Sequence, residues 1–303
     1  MTAASSVSSS APKVQTPFKR FIVEFVGSRV AVFGLVLLAL VVSSALFAPW
    51  IAPQDPYDLS KLDIMNGMLP PGSVDMDGNI FLLGSDEQGR DLLSAILYGL
   101  RTSLLVGFSS TAMALAIGLV VGMIAAYAGG SVDAVIMRLV DIQLSFPAIL
   151  IALILLAVLG KGVDKVIIAL TAVQWAYYAR TVRSAALVER RKEYVEAAQC
   201  LALPKQRIVL RHLLPNCLPP LIVVATVQVA HSITLEATLS FLGVGVPVTE
   251  PSLGMLIASG FDYMLSGEFW VSVFPGLALL VTIVSINLVG DQMRDVLNPR
   301  LQH

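Results

Sequence analysis

The chain has 303 residues, of which 56% are hydrophobic and 14% charged, with 20 basic and 21 acidic side chains. Soluble domains carry about 25% charged residues, so water cannot face this chain on all sides, and disorder, which needs low hydrophobicity and high net charge, is excluded more firmly. A net charge of −1 gives no reason to expect nucleic acid as a partner, and Cys 2 and His 3 leave little for a disulfide framework or a metal cluster.

Residues 1–20 begin small and polar and are expected to form a disordered cytoplasmic tail. A bilayer-spanning helix needs about 20 mostly apolar residues, and six windows approach that. The first, 30–54, carries no charge and is far longer than the roughly 7–15-residue core of a signal peptide; it is read as an uncleaved span within 21–54. Residues 55–100 follow as an extracytoplasmic segment. Windows 102–132, 142–160, 166–179, 213–235 and 269–290 then fall in a core over 101–290, with a cytoplasmic loop over 180–216. Residues 291–303 form a cytoplasmic tail. Lipid forces backbone groups to bond internally, and the windows lack the short alternating segments of a membrane barrel. The expected fold is all-α and polytopic, with six transmembrane helices.

Window 166–179 is short, and charge decides it. Segment 180–212 carries eight basic residues (Arg180, Arg183, Arg190, Arg191, Lys192, Lys205, Arg207, Arg211) against Glu189, Glu193 and Glu196, a net of +5. Residues 1–29 carry Lys13, Lys19, Arg20 and Arg29 against Glu24, a net of +3. Segment 53–101 has eight acids against Lys61, Arg90 and Arg101, a net of −5. Basic loops stay in the cytoplasm. An even number of crossings must separate the two basic segments, so the fourth window spans and both termini lie inside.

Residues 84–91, GSDEQGRD, superficially match a phosphate-binding loop. Arg90 stands where the lysine belongs and Asp91 where a magnesium-binding hydroxyl belongs, so the match fails and any ATP and Mg2+ belong on partner chains. No catalytic constellation, metal site or bound cofactor is expected. Cys200 and Cys217 fall on the reducing side and are expected to pack. Within 189–203, Tyr194, Ala197, Ala198 and Leu201 recur at helical spacing, and Pro204 closes the element. The small-residue centre permits close approach, and three glutamates argue against a helix lying flat on anionic lipid. A helix docked in a groove of a cytoplasmic partner is expected. Arg138 and Asp141, three apart on one helical face, are expected to pair. Pro147, Pro219 and Pro220 could kink the third and fifth spans.

Glu196-Ala197-Ala198 with Leu214-Pro215 resembles the EAA loop of ABC importer permeases. The wider text, EYVEAAQCLALPKQRIVLRHLLPN (193–216), resembles the dipeptide, oligopeptide and nickel branch of that family, with Ala202 where the family usually has glycine. LGSDEQGRDLLSAILYGLRTSL (83–104), YAGGSVDAVIMRLVDIQLSFP (127–147), LEATLSFLGVGV (235–246) and NLVGDQMRDVLNPR (287–300) resemble further family blocks. Ser85 replaces a usual threonine, Ala95 a usual arginine, and Leu253 a usual tryptophan. The resemblance implies a non-catalytic inner-membrane subunit with the type I importer permease fold, of the second permease type. Its implied partners are a sister permease, two cytoplasmic ATP-binding subunits, an extracytoplasmic binding protein and the lipid bilayer.

The same resemblance implies an ATPase-coupling element of Glu193, Tyr194, Glu196, Ala197, Ala198, Leu201, Ala202, Arg211 and Pro215. It marks Asp86, Gly89, Arg90, Asp91, Asp133, Arg138, Asp141, Pro147 and Glu236 as structural or pathway residues. Glu236 is the most informative ionisable group near a membrane, with two readings: a functional carboxylate, or a brace paired with a helix terminus or His231. The implied cargo is a short peptide, with nickel chelates and glutathione as alternatives. An ion-coupled secondary transporter would favour internal repeats and more mid-span ionisable groups than Glu236 and His231.

Overall fold

The computed structural model describes residues 17–58, 62–75 and 78–297. Most of the tail expected over 1–20 lies outside the described residues, but helix α1 (Pro17–Gly27) occupies the last four positions of that range. Ser28 then caps α2 (Arg29–Leu46), its Oγ accepting the Ala31 N–H at 3.3 Å. The window 30–54 is therefore not one helix. It breaks at Phe47, and α3 (Ala48–Ile51) restarts with proline in its first turn, where the missing N–H costs nothing.

The segment before the next helix contains a departure from an all-α fold. Strands β1 (Ser73–Val74) and β2 (Ile80–Phe81) pair antiparallel, with Ser73 opposite Phe81. Helix α4 (Leu92–Ala128) then runs for 37 residues, roughly 55 Å at about 1.5 Å per residue. Helices α5 (Gly130–Ser145) and α6 (Ala148–Leu159) follow, meeting at 90°. Pro147 sits at that corner as the N-cap of α6, where the residue before it is held extended. Helix α7 (Val163–Glu189) returns along α4. Beyond it come α8 (Glu193–Cys200), α9 (Lys205–Ile208), α10 (Leu214–Phe241), α11 (Leu253–Phe261) and α12 (Trp270–Leu297).

Four stretches are long and apolar enough to cross a membrane: α2, α4, the run Lys205–Phe241 and α12. The pair α5–α6 passes the same test only when its two helices are taken together as one broken span, which gives four or five candidate crossings. Helix α7 has the length, 27 residues, but Thr171, Gln174, Tyr177 and Tyr178 dilute its apolar character. Large apolar side chains such as Phe33, Ile154, Val158 and Leu280 are exposed on the outside of the bundle, the inverse of a water-soluble surface.

The bundle is centred on α4. Its Gly118 and Gly122 lie against α7: a Cβ on Gly118 would stand 2.4 Å from Tyr178 Cβ, and one on Gly122 2.4 Å from the Ala179 carbonyl. Two glycines four apart let the backbones meet, as small residues do between helices in lipid. Around this contact, Tyr178, Val182 and Ala186 of α7 pack with Ala114 and Ala126 of α4 and with Cys217 and Leu221 of α10. A second cluster joins Val41 of α2, Leu100 and Leu104 of α4, Ile233 of α10, Leu256 of α11 and Ile286 of α12.

Candidate functional site

Helix α8 stands on the connection between α7 and α10. Glu193 and Glu196 occupy its first turn, where negative charge complements the helix dipole. Val195 and Ala198 are buried in the cluster with Ala186, Ile208, Leu213 and Cys217. Ala197, Tyr194 and Leu201 point outward, Leu201 being 75% exposed. The face expected over Tyr194, Ala197, Ala198 and Leu201 is thus divided. Ala198 joins Val195 in the anchor, and Tyr194, Ala197 and Leu201 form an open stripe at spacings of three and four.

The end of α8 is a Schellman turn. Leu203 N–H bonds to Ala198 O at 3.2 Å and Ala202 N–H to Gln199 O at 2.9 Å, the paired bonds of that motif. Ala202 holds φ at 52°, so alanine adopts the left-handed turn for which glycine is the usual residue.

Tyr194 ties α8 to both neighbours. Its hydroxyl donates to Glu189 Oε2 at 2.6 Å and accepts from Asn216 Nδ2 at 3.2 Å. Burial and the adjacent Glu189 carboxylate push the phenol up to about 12. Lys192 Nζ reaches Glu189 Oε1 at 2.6 Å. Arg190, which sequence reasoning counted only as charge, donates to Ala126 O at 2.9 Å and lies 5.4 Å above the Tyr127 ring. It thereby satisfies a carbonyl in the last turn of α4, one of the groups a helix leaves unpaired. Arg211 lies in a π-helical turn, Val209–Leu213. Pro215 follows in the first turn of α10, and its ring would crowd the carbonyl four residues back. Arg211 itself is exposed and makes no bond among the described residues. Of the two cysteines, Cys217 is buried and Cys200 is exposed, so packing describes only the first.

Two acids of α5 clasp α7 on the same end of the bundle. Asp133 accepts Arg183 Nε and Nη2, both at 2.5 Å, the two-pronged geometry guanidinium favours. Asp141 pairs with Arg180. The expected pair of Arg138 with Asp141 does not form. Arg138 is exposed, and Asp141 is taken instead by Arg180 of α7 from across the interface. Beside α8, a cavity of about 870 Å³ opens between α7, α10 and α12, with Arg180, Ser184, Lys192, Pro219, Pro220 and Arg294 on its wall.

Asp86, Gly89, Arg90 and Asp91 lie together at the far end of α4 and do not meet the α8 group. Arg90 and Asp86 are fully buried: Asp86 Oδ2 accepts Arg90 Nε at 2.6 Å, and Oδ1 accepts the N–H groups of Gln88 and Arg90 at 2.9 and 3.0 Å. Arg90 Nη1 also donates to Val248 O at 3.2 Å, crossing 158 residues. Gly89 has φ 75°, and a Cβ there would fall 2.1 Å from Asp63 O. These residues knot the segment before α4 to the loop after α10. Asp91 caps α4, its Oδ2 accepting from Ser94 N and Oγ at 2.8 and 2.6 Å.

Glu236, on α10, is fully buried. Ser103 Oγ of α4 donates to its Oε2 and Ser240 Oγ to its Oε1, both at 2.8 Å. The geometry is that of a brace between α10 and α4 made with serines. His231 is exposed and takes no part.

A multi-helix apolar bundle that presents one short, anchored helix on a basic connection is a polytopic membrane protein with an element offered at one end. Residues 118–303 match the family described as binding-protein-dependent transport system inner membrane component, and residues 16–71 match the N-terminal TM domain of oligopeptide transport permease C. The di/tripeptide transport system permease protein DppC of Pseudomonas aeruginosa (strain UCBPP-PA14) is 39% identical over 288 residues, 95% of this chain and 94% of that one. The dipeptide transport system permease protein DppC of Escherichia coli (strain K12) is 40% identical over 294 residues, 97% of this chain and 96% of that one. The chain belongs to the binding-protein-dependent transport system inner membrane component family, in its oligopeptide permease C branch. Among solved structures, an inward-facing MetNI methionine ABC transporter chain superposes with a TM-score of 0.56 at 23% identity, covering 67% of this chain and 96% of that one, which extends the likeness to the fold.

Proposed function

We propose that the chain is the permease subunit of an ATP-driven importer of short peptides and forms half of the translocation path with a sister permease. The observation that carries this is α8: an eight-residue helix locked from behind by Val195 and Ala198, with Tyr194, Ala197 and Leu201 left open. Such a helix transmits force because its anchored face joins α7 to α10, the two helices whose relative position shapes the cavity beside it. ATP binding draws two cytoplasmic ATPases together, α8 moves with the one it contacts, and the helices open to the side from which a binding protein delivers cargo. Hydrolysis resets the inward state. In this reading α7 completes the sixth crossing, both termini are cytoplasmic, and the 870 Å³ cavity is the inner mouth of the path.

Short peptides are the cargo favoured by the relatives, which are di/tripeptide and dipeptide transport permeases, and the extracytoplasmic binding protein makes the selection. The test changes two exposed positions, Leu201 of the open stripe and Glu196 beside it, and leaves the anchor intact. Leu201→Asp with Glu196→Lys is expected to abolish dipeptide uptake and stimulation of ATP hydrolysis in the reconstituted complex, with membrane insertion preserved. Uptake and stimulation that both persist would remove the coupling role.

A further inference from the structure

At the end of the bundle opposite α8, the segment between α3 and α4 encloses a cavity of about 600 Å³. Asp55, Asp63, Asp75 and Asp91 stand on its wall with Asn66 and Asn79, and no described lysine or arginine lines it. Asp91 differs from the other three. It is 3% exposed and commits Oδ2 to the first turn of α4, while its Oδ1 is buried without a hydrogen-bond partner among the described residues. A buried acceptor left without a donor costs free energy that a bound donor would recover. Burial, the main cause, and the nearby Asp86 charge push the Asp91 carboxyl upward, the effect an adjacent cation reverses.

Asp55 and Asp63 each use one oxygen on the backbone two residues ahead, accepting from Tyr57 N at 3.0 Å and Met65 N at 2.9 Å. Their second oxygens make no bond among the described residues. The carboxylates do not form a metal cage: no group of three His, Cys, Asp or Glu side chains among the described residues could hold a metal ion. Dispersed carboxylates around a cavity of small-molecule size instead suit a ligand whose donors are spread over an organic frame, held by charge-assisted hydrogen bonds.

We infer that this cavity is a binding site for an organic cation, with an ammonium or guanidinium group held at Asp91 and its charge balanced by Asp63 and Asp55. The same group could arrive on a free cationic solute or on a lysine or arginine of a protein docked at this end.

The test uses the full chain in nanodiscs and titrates spermidine by calorimetry. One saturable site is expected, weakened at least tenfold by Asp91→Asn. Asparagine is an equally good helix cap, so this variant removes charge and keeps the Ser94 bonds. Should it fail to insert, Asp63→Asn with Asp55→Asn carries the same expectation. Absence of saturable binding, equal affinity in the wild type and all variants, or tighter binding of Ca2+ at the same site would overturn the proposal. So would binding that appears only after Lys61→Ala, since the chain would then supply its own cation. A second arm asks whether spermidine displaces the cognate extracytoplasmic binding protein from the complex. Displacement assigns the cation to a protein side chain, and its absence assigns it to a free solute. Either result supports the site.

Discussion

Ala202 holds a backbone conformation that side chains with a Cβ enter at a cost of about 1–2 kcal/mol. Both bonds of the Schellman turn are nonetheless made around it. The neighbouring anchor, Val195 and Ala198, sets the turn and overrides the local preference. Ala202→Gly should therefore raise stability by roughly 1 kcal/mol, seen as a higher melting temperature of the detergent-solubilised chain. An unchanged or lower value would show that the turn is not strained. Arg90 is a case where nothing local can compensate. Its guanidinium neutralises the fully buried Asp86 and reaches Val248. Arg90→Ala should cost about 3–5 kcal/mol, the penalty of a stranded buried charge, and should loosen both the segment before α4 and the loop after α10 to proteolysis. Protection that remained intact would contradict the knot.

Elements meet in this molecule mainly through small residues and paired charges. Gly118 and Gly122 let α4 and α7 approach until a methyl group on either would collide with backbone. Gly122→Ala should cost about 1–3 kcal/mol by overpacking, and Gly118→Ala should behave alike; folded yield in membranes and melting temperature measure both. Two alanine variants as stable as the parent would mean that the helices slide apart without cost. The α5–α7 clasp shows why the pairing expected for Arg138 failed. Helical spacing identifies neighbours on one helix, whereas Asp133 and Asp141 find arginines 50 and 39 residues away. Arg190 was hidden for the same reason, because its acceptor lies 64 residues back. The glycine pair, by contrast, was present as Gly118-x-x-x-Gly122 and would have marked a close-packing face on α4 from the sequence, with the partner helix left to the tertiary structure.

For the whole molecule, the proposed orientation puts α8 and the basic connection inside and the acidic segment outside. The chain carries its own reporter. Cys200 is exposed on α8 and Cys217 is buried. With the chain expressed without its ATPase partners, a membrane-impermeant maleimide should label one cysteine in inverted vesicles and none in right-side-out vesicles. Cys200→Ser should abolish the signal. Labelling in right-side-out vesicles would invert the topology. The outer faces of the helices carry large exposed apolar groups, which fits a bundle surrounded by lipid.

Composition and the order of apolar windows determined by themselves that the chain is a helical membrane protein, because hydrocarbon admits few other arrangements. The EAA residues located α8, since the helical spacing and the closing Pro204 that mark it lie in one short contiguous stretch. Pro147 marked the α5–α6 corner because proline acts on the residues next to it. Only the tertiary structure decided which face of α8 is anchored, which arginine each acid of α5 takes, that Glu236 braces α10 to α4 through serines, and that four aspartates share one cavity. Those outcomes depend on groups brought together from distant parts of the chain, and burial gives each contact a weight that spacing along the sequence does not contain.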